Sequence, residues 1–584
     1  MKGTINECDY FLSTFLDACI SMKSLSISNE RIQLTFRPNP LSFIEIRNKL
    51  TGAIVCPVGS QTFLVRTPLE LFEPTILTEL QSVSVRPGRI RFVVTDRTRA
   101  WRAAVDIDAS EDGIRFRMKV SAPKPIWLVE WRLGGLQIDE VIIPALGGQA
   151  LTKRMPIDTT LNYKYPFWWN AQFVIGSMKA GGCWIHTRDA HPGFKLLRVR
   201  REERGFALTY GFEADGPITS KALEAEWYLD CYAGSWRRPV DEHRRWMEEG
   251  FRPLPLGENR SFPAWARKIN FVLEMWGITK DRPEPLHTFD TMLERLRQWR
   301  TLHAPEETLV YVPGFAEHGI DSHAPDYHPS RELGGAVGFK MLVDNAHRMG
   351  FRVMVHTNVL AMTFAHRLYP KFKKHQVVDV FGRKQGWGLD MDGDWLAEPY
   401  FAYINPGARA WGKLMTKVIG NLVGRFHVDG VFLDQTLLAF NVSRGPNFLL
   451  GMRTHIERLQ RSFPHILFAG EGLHEQVLSA LPFAQIHGID SLTEVHGMEG
   501  NVRWRTAHPV STYLFGPYTR FVAHLLTKHP SSPIFELQEE AYTKLGVIPA
   551  LCLYSHHQKL DMPAVQRMIR RARSLDLGIT NTAD

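Results

Sequence analysis

The sequence offers little that points to metal, membrane or nucleic-acid chemistry. Its six cysteines (Cys8, Cys19, Cys56, Cys183, Cys231, Cys552) are scattered with no CxxC spacing. That excludes the usual zinc and redox motifs and reads as buried thiols in a reducing compartment. No HxH or HExxH occurs among the 23 histidines, so neither a metal nor another cofactor is expected. No apolar run approaches a membrane span. Glu7, Asp9 and Asp17 stand where a secretory leader needs a clean apolar stretch. A cytoplasmic protein with no membrane partner is therefore expected. Strand-like alternation begins only at Ser24, which makes Met22 a candidate natural start.

Strong charge of one sign is also missing. The net charge is +9, from 70 basic and 61 acidic residues, which is mild over this length. The one dense basic run, residues 198–204 (RVRREER), includes two glutamates and alternates like an exposed strand. No nucleic-acid partner is expected. Internal repeats and low-complexity segments are absent, and oligomeric state is open.

What is present is size and two kinds of periodicity. A chain of 584 residues exceeds the roughly 250–300 residues one core can serve. Residues 24–232 read as β-rich: 32–36, 43–47, 88–95, 113–120 and 125–133 are short, alternating and separated by turn residues. Many such strands predict a large antiparallel sandwich. Residues 233–263 form a linker, a helix over 235–250 and then a Pro- and Gly-rich stretch; residues 1–23 are an extension. From 264 to 584 apolar strands alternate with helices. The strands are 269–276, 308–314, 352–358, 428–434, 466–471 and 486–494, with two more near 511–515 and 547–554. Helices are predicted over 291–301, 335–349, 409–426, 447–462 and 535–545, with Asn405 and Pro406 as N-cap and first helical residue of the third. Continuous apolar strands between helices mean a parallel sheet covered on both faces. Eight units predict a (β/α)8 TIM-like barrel with insertions, so the fold class is multidomain β plus α/β.

Barrel enzymes place chemistry where strands end. Residues 427–436 (HVDGVFLDQT) run apolar into Asp434, with Gln435 next to it. Residues 466–474 (ILFAGEGLH) run apolar into Glu471, flanked by Gly470 and Gly472. Carboxylates on adjacent strand tips can stand roughly 5–5.5 Å apart, the separation retaining glycosidases use for nucleophile and acid/base. Each alone has a structural reading as a helix-capping strand-end acid; the pair makes a mechanism.

The chain resembles the α-glycosidase clans that couple an N-terminal β-supersandwich to a catalytic barrel, the α-amylase-like and endo-α-N-acetylgalactosaminidase-like groups. Residues 165–173 (YPFWWNAQF), 235–246, 332–358 (ELGGAVGFKMLVDNAHRMGFRVMVHTN) and 403–411 (YINPGARAW) carry the resemblance, in that order along the chain. It implies an Asp nucleophile ending the fourth strand, Asp434, a Glu acid/base ending the fifth, Glu471, and an α-linked substrate. Phe432 stands where amylases carry Arg and melibiase-like barrels carry Lys, so the resemblance names no sugar.

Other strand ends supply candidate contacts to an oligosaccharide or small glycoside: Glu274 and Trp276, Asp326 in the loop after the second strand, His356 and Asn358, Gln435, Glu494 and His496, Tyr554 and His556. For Trp276 a core-capping role, for His356 a structural role and for His556 a solvated loop position carry comparable weight. The run 390–394 (DMDGD) lacks the order of an EF-hand loop and reads as a hairpin tip. Three alternatives stay open: a transglycosidase using the same site, a metal-dependent barrel hydrolase drawing on His356, His427, His496, His556 and Asp434, and a non-catalytic carbohydrate-binding barrel.

Overall fold

The structure is a computed structural model that describes residues 24–37, 42–279, 284–390, 394, 396–486, 503–524, 530–553, 555 and 557–575. The chain divides into two compact units, 1–145 with 149–250 and 146–148 with 251–584.

The first unit is built from two antiparallel sheets. One runs from Leu25–Ser28 through Ile32–Phe36, Phe43–Asn48, Ile54–Arg66, Leu128–Leu136, Gly205–Glu213 and Lys195–Glu202 to Thr160–Tyr165. The other includes Phe173–Met178, Gly181–His186, Ala222–Ala233, Gly113–Ser121, Arg102–Ser110 and Arg89–Thr95. Alternation puts one face of each strand inward, and large aromatics fill the interior. Trp131 of the first sheet lies 5.0 Å from Phe116 and 5.3 Å from Trp227 of the second, ring centre to ring centre. The basic run belongs to Lys195–Glu202, where Leu197 and Val199 are buried and Arg200 is exposed. The helix Arg237–Phe251 belongs to this unit as far as Gly250. Cys56, Cys183 and Cys231 here, and Cys552 in the second unit, are buried free thiols; Cys8 and Cys19 lie outside the described residues.

The second unit is organised by eight parallel strands: β1 Phe271–Met275, β2 Thr308–Val312, β3 Arg352–Asn358, β4 Gly430–Asp434, β5 Leu467–Glu471, β6 Phe483–Gln485, β7 Arg520–Val522 and β8 Ala550–Leu553. They pair in chain order, and β8 returns to β1. Closure between β7 and β8 is a single parallel bridge, Val522 to Ile548, with the Ile548 N–H donating to the Phe521 carbonyl at 2.9 Å. The strands are apolar along their length because both faces are covered. Helix ends follow local chemistry: Thr288 and Thr291 form a reciprocal cap before Phe289–Trp299, and left-handed Gly350 ends Gly335–Met349. After β3 the chain inserts a small antiparallel sheet, Ala361–Thr363, Gly386–Leu389 and Glu398–Tyr403. The acidic run 390–394 falls between its last two strands and is only partly described.

Three expectations are corrected. The sixth strand is Phe483–Gln485, earlier than 486–494, of which 487–494 lie outside the described residues. Residues 511–515 are helical within Val510–Phe515, and the seventh strand is Arg520–Val522. Val510, Ser511, Leu514 and Phe515 are the buried positions, a helical spacing that overrides the β-forming character of the residues. Asn405 caps no helix: its Oδ1 accepts from the Gly407 N–H at 2.9 Å, and the helix Arg409–Phe426 begins after Ala408. A further helix, Pro563–Ser574, was not expected.

Candidate active site

Register brings the polar strand ends to one level. Asn358 on β3 pairs with Asp434 on β4. Leu433 pairs with Gly470, so Asp434 and Glu471 end neighbouring strands side by side. Glu471 in turn pairs with Gln485 on β6. Asp434 and Glu471 are part-buried, shielded but reachable.

Asn358 is the hub. It is fully buried, and its Oδ1 accepts from the backbone N–H groups of Leu360 and Ala361, each at 2.9 Å. Those bonds turn its amide nitrogen toward the acids. Nδ2 lies 2.9 Å from Asp434 Oδ2, 3.2 Å from Asp321 Oδ2 and 3.1 Å from Gln435 Oε1. Asp321, in the loop after β2, is itself buried and faces His356 Nε2 at 3.1 Å and the Tyr327 hydroxyl at 3.3 Å. His356 Nδ1 meets the Tyr311 hydroxyl at 2.8 Å. The imidazole edge facing a carboxylate needs its proton there, so in the neutral ring Nδ1 accepts from Tyr311. Tyr327 accepts the Asn358 N–H at 2.6 Å.

Glu471 is tied in from the other side. Its Oε2 accepts the Gln435 backbone N–H at 2.9 Å, and Gln435 Nε2 donates to the Tyr403 hydroxyl at 3.2 Å. Asp321 and Gln435 both hold left-handed backbones, φ +55° and +64°. Non-glycine residues adopt that conformation at a cost, and such strain gathers at functional sites.

The electrostatics keep the hydroxyl donors neutral. Burial, then the charges of Glu274, Asp434 and neighbouring acids, raises Tyr311 well above its usual value. Tyr327 and Tyr403 are raised in the same way, burial first. Deeper in the barrel, burial pushes Glu274 up to about 8, so it is largely protonated at neutral pH. Its Oε1 lies 3.4 Å from Gln485 Nε2. Phe432 packs 5.0 Å from Tyr311 and 5.8 Å from His356, ring centre to ring centre.

His356, Asn358, Gln435, Asp434 and Glu471 thus converge, while Glu274 sits beneath them and Trp276 is nearly buried at the end of β1. Asp326 instead faces His366 Nε2 at 3.1 Å. Glu494, His496, Tyr554 and His556 lie outside the described residues. Sequence reading missed Asp321, Tyr311, Tyr327, Tyr403 and Gln485. Tyr311 had one signal, a hydroxyl spaced to face the interior of an apolar strand; Asp321 had none that set it apart from Asp326.

Asp321, His356 and Asp434 each offer one ligand atom, all within 4.8 Å of one another, the set that could hold a metal ion among the described residues. Two carboxylates and an imidazole suit a divalent transition metal. His427 cannot join them: it ends the helix Arg409–Phe426, at the opposite end of β4 from Asp434.

The second unit is thus an eight-stranded parallel barrel with carboxylates ending adjacent strands, preceded in the chain by a β-rich unit. The profile of a family described as a domain of unknown function (DUF6259) matches residues 222–444. No curated protein matches the chain by sequence. Among solved structures, the ligand-free α-N-acetylgalactosaminidase NagBb from Bifidobacterium bifidum is similar at TM-score 0.71 and 14% identity, over 94% of this chain and 93% of that one. Its GalNAc complex aligns at TM-score 0.69 and 15% identity, over 94% and 92%. Its Gal-NHAc-DNJ complex aligns at TM-score 0.69 and 14% identity, over 95% and 94%. At this identity the likeness is one of fold. Among the described residues no helix is long and apolar enough to cross a membrane.

Proposed function

We propose that the chain is a retaining glycoside hydrolase for α-linked sugars, with residues 264–584 as its catalytic barrel. Asp434 attacks the anomeric carbon, and Glu471 protonates the departing oxygen and then deprotonates the incoming water. The observation that carries the reading is the pair itself: two part-buried carboxylates ending β4 and β5 side by side, each fixed by hydrogen bonds. Asp321, His356 and Asn358 form a hydrogen-bonded cluster beside Asp434 that holds the nucleophile in place. The fold shared with an α-N-acetylgalactosaminidase makes α-N-acetylgalactosaminides the first substrates to try. A sugar acceptor in place of water would turn the same intermediate to transglycosylation. Buried free thiols are the support for a cytoplasmic site of action.

The test is a panel of α- and β-linked aryl glycosides, with the first anomer released read by NMR. Turnover of an α-glycoside with an α-configured first product is expected. Inversion, turnover of β-glycosides alone, or no turnover across the panel would remove the proposal. Activity that vanishes with chelator and returns with a stoichiometric metal would replace it with metal-dependent hydrolysis.

A further inference from the structure

We propose that Gln435 is a positioning residue that fixes the nucleophile and the acid/base in one mutual geometry and assigns the catalytic proton of Glu471 to Oε1. The inference rests on the mechanism proposed above.

Gln435 follows Asp434 directly and is held at φ +64°, a region glycine enters easily and glutamine seldom does. The turn aims its backbone N–H at Glu471 Oε2, 2.9 Å away. In a carboxylic acid the carbonyl oxygen is a far better acceptor than the hydroxyl oxygen. Protonated Glu471 therefore keeps Oε2 as the carbonyl facing this N–H and carries its proton on Oε1. In the first step that proton passes from Oε1 to the glycosidic oxygen as the bond to the anomeric carbon breaks and Asp434 bonds to the carbon. In the second, water gives a proton back to Oε1 as its oxygen replaces Asp434.

The side chain reaches the other partner. Gln435 Oε1 accepts from Asn358 Nδ2 at 3.1 Å, and the same nitrogen donates to Asp434 Oδ2 at 2.9 Å. Gln435 Nε2 donates to Tyr403 at 3.2 Å. The next residue ties the two strand ends together, with the Thr436 hydroxyl donating to the Glu471 carbonyl at 3.1 Å. Gln435 thus touches the acid/base through its backbone and the nucleophile's amide partner through its side chain. With both ends of its amide engaged by the protein, its role is geometry in place of sugar contact.

Gln435→Gly keeps the left-handed turn and the backbone N–H but deletes both side-chain bonds. Gln435→Asn, whose side chain tolerates this backbone, retains an amide. Both are compared with the full-length wild-type enzyme on the α-glycoside chosen by the panel, with leaving groups graded from dinitrophenyl to alkyl. The glycine variant is expected to lose tenfold or more in kcat with KM changed by less than about threefold, since small misplacements of reacting groups cost rate. The loss should deepen as the leaving group worsens, because only poor leaving groups need the proton. Asn should recover part of the rate. A raised KM at unchanged kcat would make Gln435 a sugar contact and overturn the assignment. So would a lowered Tm with unchanged kcat and KM, or a loss equal across leaving groups. Asp434→Asn and Glu471→Gln run alongside: wild-type turnover in either would overturn the mechanism itself, a result distinct from any Gln435 outcome.

Discussion

The two units bury carboxylates in opposite ways. In the β-rich unit Glu130 is enclosed by arginines, with Arg66 Nε 2.6 Å away and Arg198 on its other oxygen. Asp230, fully buried, meets Arg31 at 2.7 Å, and Asp106 meets Arg89 at 2.7 Å. In the barrel Asp321 faces the His356 imidazole and the Tyr327 hydroxyl, Asp434 accepts from the Asn358 amide, and Glu471 accepts from the Gln435 backbone N–H. A guanidinium neutralises a carboxylate and clamps it in a strong, often bidentate pair. Hydroxyl, amide and backbone donors orient a carboxylate, which suits a group proposed to attack a carbon or exchange a proton. On the proposed mechanism the difference separates acids that hold the fold from acids placed to react.

The comparison breaks most visibly if the barrel acids prove structural. Asp434→Asn and Glu471→Gln should each cut kcat by about 10³-fold or more while shifting Tm by only a few degrees. Near-wild-type rates would put the residue in the other class. Next in size, Glu130→Ala should destabilise the chain by roughly 3 kcal/mol, because it strands Arg66 and Arg198 beside each other. Urea unfolding would measure it, with kcat per folded molecule unchanged. A loss of rate without a loss of stability would contradict the division.

A third consequence is pH dependence from Glu274, a barrel acid with no role in the proposed chemistry. Burial raises it from 4.5 to about 8, so the folded state binds a proton the unfolded chain has released. Its contribution is favourable below 4.5 and is lost as pH rises toward 8. Glu274→Gln should flatten that decline, so the Tm gap between variant and wild type should widen from pH 5 to pH 8. A constant gap would sink the assignment. Smallest of all, Tyr327→Phe removes one hydroxyl shared by Asp321 and the Asn358 N–H. It should cost about 1–2 kcal/mol of stability and a modest fraction of kcat.

Most of the barrel was legible because its strands carry information in their order. The apolar runs before Asp434 and Glu471 predict both the strands and the carboxylates that end them, and β3 yields His356 and Asn358 in the same way. β6 and β7 were misplaced because three residues each carry no periodicity of their own. Asp321 was missed for a physical reason: it and Asp326 are alike in sequence, five residues apart on one polar loop. Only the path of that loop turns Asp321 toward Asn358 and Asp326 toward His366. Gln435 was noticed for its place beside Asp434, but its left-handed backbone leaves no mark on the sequence.

The central claim, that Asp434 forms a covalent bond to the sugar, is tested most directly by trapping. A 5-fluoro glycosyl fluoride of the preferred α-configured sugar should slow breakdown of the intermediate, and intact-mass and peptide analysis should find one glycosyl group on the peptide containing Asp434. Release of inverted sugar with no adduct, or an adduct on another residue, would contradict the account.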